Sequence, residues 1–157
     1  MSVKSVISSI GTYALGLAML LVIIALPVLF IVGGVVVGEK ILPWLILLSM
    51  LTFAFNIVIL LPLALIPPTR GWAGLGFFIS SFVFGITGWF MGLLFTWILW
   101  GGLAVAIGLF IMGIGVVPIA MLATLFNGMW AEFGILVLAV VLTFGLRILG
   151  TTLAENA

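Results

Sequence analysis

Enzymatic chemistry needs side chains that move protons, attack electrophiles or hold metals, and this sequence carries very few. The charged residues are Lys4, Glu39, Lys40, Arg70, Glu132, Arg147 and Glu155, and histidine, cysteine and aspartate are absent. A triad hydrolase needs a histidine base beside its nucleophile, so that class is excluded. Zinc is held by histidine, cysteine and carboxylates, and three scattered glutamates cannot surround it. Haem has neither a histidine nor a cysteine ligand available. No glycine-rich loop ending in Lys-Ser or Lys-Thr is present to cradle a phosphate. The expectation is therefore a non-enzyme with no catalytic, cofactor-binding or metal-binding residues. Without a basic run, nucleic acid is not an expected partner. Without cysteine there are no disulfides, and the redox compartment cannot be read.

What remains is a handful of polar groups set in apolar sequence. Asn56 is the one strong polar side chain deep in a long apolar run. An unpaired amide in an apolar medium costs several kcal/mol, so Asn56 is expected to face protein or water, as an interhelical contact or a substrate contact. Glu132 stands beside Trp130 at the start of the last apolar run, and Arg147 lies near its end. At 1.5 Å per residue the two are roughly 22 Å apart, too far to pair within one helix. Arg147 is expected to reach toward the membrane surface. Arg70, Glu132 and Arg147 are candidate contacts for lipid or for a partner.

The elements that position these groups follow from composition. The chain has 157 residues, 67% hydrophobic and 4% charged, against roughly 25% charged in an average soluble domain. Seven charged side chains cannot clothe a soluble surface. A bilayer core of about 30 Å takes roughly 20 apolar residues in a helix, and the apolar runs here reach that length without interruption. Transmembrane β-strands would instead alternate over about 10 residues. The predicted fold class is all-α: a polytopic helical transmembrane bundle in a single domain, with spans at about 11–38, 41–66, 75–99, 103–126 and 133–149. The expected setting is a lipid bilayer, the bacterial inner (cytoplasmic) membrane.

Local signals set those boundaries. Lys4 before an apolar run resembles a signal peptide, but the run Gly11–Val37 of about 27 residues exceeds the roughly 7–15 of an h-region, so an uncleaved first span is expected. Glu39-Lys40 reads as a wet turn. Pro67-Pro68-Thr69-Arg70-Gly71 stops a helix. Trp100-Gly101-Gly102 and Asn127-Gly128 are the next breaks. Trp44, Trp72, Trp100 and Trp130 fall at these boundaries, where tryptophan prefers the membrane–water interface; Trp89 falls mid-segment. Five crossings leave the basic residues evenly divided between the two sides. Four crossings with a re-entrant third or fourth segment give a better positive-inside bias. The expectation is five, with four plus a re-entrant segment as the alternative. Pro27, Pro62 and Pro118 are expected to kink their helices.

Small residues form stripes. Ser81, Gly85, Gly88, Gly92 and Thr96 share one helical face, as do Gly101, Ala104, Gly108 and Gly115, and Gly34-x-x-x-Gly38 closes the first run. Such stripes let helix backbones approach in lipid. They predict a close-packed hairpin of the third and fourth segments, alone or also packed on another subunit. Gly76 lies near the interface and off the stripe, so leucine there is expected to matter less than at Gly88. Two functions fit. One is a non-catalytic membrane subunit, as a homo-oligomer or as the anchor of a larger assembly. The other is a small oligomeric channel or facilitator lined by Asn56, Ser80, Ser81, Thr87 and Thr96.

Overall fold

The computed structural model describes residues 3–111, 113 and 115–155. The described residues are almost all helical, with no strand among them. The elements are α1 (Val3–Phe55), a π-helical turn (Asn56–Leu60), α2 (Leu61–Leu65), a 3-10 turn (Pro67–Thr69), α3 (Arg70–Phe110), α4 (Val116–Phe126) and α5 (Trp130–Glu155). Three helical stretches are long and apolar enough to cross a membrane: Leu15–Leu65, Pro67–Phe110 and Trp130–Glu155.

By internal packing the chain divides between Gly34 and Val35. In the first unit every residue from Leu15 to Phe30 is exposed, and all but Ala18, Gly16, Ala25 and Pro27 carry large apolar side chains. The second unit holds the packed body described below.

The expected turn at Glu39-Lys40 does not form, and α1 continues through it. Neither residue breaks a helix, since glutamate and lysine are both good helix formers, and both are exposed. The helix changes only at Asn56, where the wider π-helical turn begins. Pro62 explains the position: it has no N–H for the carbonyl four residues back, and its ring crowds that carbonyl. Ile66, which precedes Pro67, is extended at φ −93° and ψ 118°. The residue before a proline is driven out of the helical region, so the chain turns here and α3 starts back.

α3 is two helices in line of sequence. Gly101 adopts φ 77° and ψ −174°, a left-handed φ that glycine reaches without a Cβ clash. The expected continuous segment at 103–126 is not formed either. The chain is helical to Phe110, turns through Ile111, Gly113 (φ 71°) and Gly115, and resumes as α4. Pro118 lies in the first turn of α4, where its missing N–H leaves no intrahelical bond unmade, so it starts this helix without kinking it. α4 ends at Asn127 and left-handed Gly128. Gly128 N–H donates to Leu125 O at 3.1 Å and Met129 N–H to Thr124 O at 2.9 Å, the paired bonds of a Schellman cap.

Contacts fix the relative heights of these elements. α5 runs antiparallel to the first part of α3: Gly150 meets Gly74, Thr143 meets Gly85, and Ala139 meets Gly88. α1 and its continuation also run antiparallel to α3, with Gly38 beside Phe90, Ser49 bonded to Thr87, Asn56 to Ser80, and Leu60 against Gly76. The segment 102–126 lies along the upper part of α3. Gly102 packs on Trp97, Gly113 bonds Trp89, Val116 and Val117 meet Thr96 and Gly92, and the Phe126 ring stacks on Trp100 at 6.3 Å. The chain thus leaves the level of Trp100, descends to the level of Trp89, and returns to the level of Trp100.

Candidate functional site

Small residues make the seams of this body. A methyl group on Gly74 would lie 2.7 Å from Gly150 O and 2.9 Å from Ala154 N. One on Gly150 would lie 2.8 Å from Phe78 N. These are backbone-to-backbone contacts, and neither glycine belongs to the expected stripes. Within the stripe, Ser81 is buried and donates to Phe78 O at 2.6 Å. Gly85 faces Thr143, Gly88 faces Ala139, Gly92 faces Val117, and Thr96 donates to Val116 O at 3.3 Å. The stripe therefore packs on α5 in its lower part and on α4 in its upper part. The expected simple hairpin of two whole segments gives way to this arrangement because the fourth segment is itself folded in two. Gly108 and Gly115 pack on each other across that fold, with a methyl on Gly115 only 2.9 Å from Gly108 O. Gly101 has open space beside it and serves the break in α3. Ala104 is half-buried, Gly34 is half-buried on α1, and Gly38 lies against Phe90 and Leu94. Gly76 is not free: a methyl there would lie 2.6 Å from the Leu60 side chain.

Most polar side chains of the body are committed to other helices or to their own. Ser49 Oγ and Thr87 Oγ1 share a hydrogen bond of 2.8 Å between α1 and α3. Thr87 also donates to Val83 O at 2.8 Å. Ser80 donates to Asn56 Oδ1 at 2.8 Å, while Asn56 Nδ2 is buried with no partner among the described residues. Trp89 Nε1 donates to Gly113 O at 2.8 Å. Trp89, which falls mid-segment, thus holds the tip of the folded segment, a role its misfit position could have flagged.

Two apolar clefts adjoin these bonds. One, of about 340 Å³, is lined by Phe53, Asn56, Leu61, Phe77, Leu142 and Leu149. The other, of about 410 Å³, is lined by Ser49, Phe53, Thr87, Met91, Leu138 and Leu142. Both are walled almost wholly by carbon, so they suit apolar chains and offer little to a hydrated solute.

The charged candidates are not brought together. Arg70 opens α3, half-buried, with its Nε buried and without a partner among the described residues. Glu132 stands in the first turn of α5, where the positive end of the helix favours a carboxylate. Arg147 does not sit at the end of its helix as expected, because α5 continues for two further turns to Glu155. Its guanidinium lies 4.9 Å from the Phe82 ring centre and 5.7 Å from that of Phe78. Helical side chains lean toward their own N-terminus, which carries this group away from the Arg70 end.

Compared with known proteins, the chain matches no protein-family model, no curated protein and no solved structure.

Proposed function

We propose that this chain is a non-catalytic integral membrane protein of the bacterial inner membrane, working as a membrane subunit: a homo-oligomer, or the anchor of a larger assembly. The observation that carries this reading is the commitment of the polar groups. Ser49, Ser80, Ser81, Thr87 and Thr96 each bond another helix or their own backbone, the Asn56 Nδ2 being the exception among the described residues, and the two clefts described above are apolar. Side chains used as glue between helices build a scaffold; side chains lining a wet path would stand free. In this reading the stretch 102–126 is re-entrant, entering and leaving on one side of the bilayer.

Native mass spectrometry of the protein released from nanodiscs tests the reading. A second copy or a retained membrane partner is the expected result. A strictly monomeric species in nanodiscs and in mild detergent alike would contradict it.

The fold at Gly113 favours a second reading, a small oligomeric channel or facilitator. Irregular backbone at membrane depth occurs where it is buried in protein or lines a water-filled cavity. A liposome flux assay separates the two: solute flux above protein-free vesicles belongs to the channel, and its absence to the scaffold.

A further inference from the structure

We propose that Arg147, framed by Phe78 and Phe82, is the docking point for a carboxylate on the membrane-spanning helix of a different protein. This deepens the membrane-subunit reading and rests on it.

The guanidinium carries a positive charge, yet among the described residues its Nε is buried with no hydrogen-bond partner, and the group lies over the two rings. A cation set among apolar groups is costly and calls for a counter-charge. The chain cannot supply one. Its only acids are Glu39, Glu132 and Glu155. Along α5, Glu155 lies eight residues on and Glu132 fifteen residues back, roughly 12 and 22 Å at 1.5 Å per residue. Glu39 adjoins Gly38, which packs on Phe90 and Leu94, roughly 12–18 Å along α3 from Phe82. A second copy in the same orientation carries its carboxylates at these same wrong heights.

A lipid phosphate does not fit either. Phe82 is ten residues inside Trp72, roughly 15 Å along the helix. Trp72 is exposed and marks the interface in this reading, so headgroup phosphates lie well short of the guanidinium. A carboxylate carried into the apolar zone by a partner helix reaches it. The surroundings suit such a helix: Phe82, Phe144 and Ile148 are exposed apolar side chains on either side of the cation. Rings beneath a guanidinium hold its plane and leave its edge free for a two-pronged bond to a carboxylate.

The test uses the full chain in neutral phosphatidylcholine vesicles with a synthetic leucine-rich transmembrane peptide carrying one central glutamate, and the same peptide with glutamine. Energy transfer between labelled protein and peptide reports binding. The glutamate peptide is expected to bind at least tenfold more tightly than the glutamine peptide, and Arg147→Gln to abolish the difference. Equal binding of the two peptides to the wild type overturns the proposal. So does loss of the preference on adding phosphatidylglycerol, which would assign Arg147 to lipid phosphate. Thermal unfolding of Arg147→Met in detergent supplies an independent readout. An unchanged or raised midpoint agrees with a cation awaiting its partner, and a fall of several degrees would make the Phe78–Arg147–Phe82 contact a strut of the fold and overturn the docking role. If native mass spectrometry shows wild type and Arg147→Gln keeping the same partner, the docking role fails while the membrane-subunit reading stands.

Discussion

α3 has two long neighbours, and it meets them by different means. Toward α5 it offers glycine, and at Gly74–Gly150 the two backbones touch. Toward α1 and the π-helical turn that continues it, α3 offers hydroxyls, with Ser49–Thr87 and Asn56–Ser80 bonded side chain to side chain. The first seam gains dispersion from every atom brought close, which replaces the hydrophobic drive that lipid does not provide. The second gains a few polar bonds, averaging about 0.6 kcal/mol each between membrane helices. It follows that α3 and α5 form the rigid pair, and that α1 is the neighbour more easily displaced.

The contrast between the two seams is greatest at Gly150. Gly150→Leu drives a side chain into the Gly74 carbonyl and the Phe78 backbone, which cannot swing aside as a side chain can. Overpacking costs about 1–3 kcal/mol and more where backbone must move. A loss of about 3 kcal/mol or failure to fold is expected, read by chemical unfolding in detergent. Gly88→Leu meets the Ala139 methyl, 3.1 Å from an added Cβ, and should cost about 1–3 kcal/mol in the same measurement. Stability equal to wild type would place Gly88 outside the seam. On the α1 side, Ser80→Ala leaves the Asn56 carbonyl oxygen without its donor. Its expected cost is about 1 kcal/mol, and a cost rivalling Gly150→Leu would reverse the ranking of the seams. Gly145→Leu is the smallest effect. Nothing lies within 4 Å of an added Cβ there, so stability should stay within about 0.5 kcal/mol of wild type.

Helical class was legible because long apolar runs admit no alternation. The stops at Pro67, Gly101 and Asn127-Gly128 were legible because proline and left-handed glycine act through the local backbone, whatever surrounds them. Three features were hidden. Glu39-Lys40 looked like a turn because charge usually marks water, yet charge alone does not bend a helix, and no breaker stands beside it. The fold at 111–115 was hidden because its described residues, Ile111, Gly113 and Gly115, lack the polar residues that mark a turn in water. Its polar partner, the Trp89 indole, is 24 residues away in sequence. Asn56 was expected to face another helix or a path through the protein, and its amide oxygen meets Ser80. The place of Arg147 two turns inside α5 was hidden too, because Thr151 and Thr152 give a more polar sequence that concealed the continuing helix.

The returning path of residues 102–126 is directly testable, because the chain has no native cysteine. Single cysteines at Leu103 and Ala131, both exposed, flank the stretch, with Thr69→Cys at the opposite end of α3. A membrane-impermeant maleimide is applied to sealed vesicles of one orientation. Leu103→Cys and Ala131→Cys are expected to label from one side and Thr69→Cys from the other. Labelling of Leu103→Cys and Ala131→Cys from opposite sides would contradict the returning path, since the stretch would then cross the membrane.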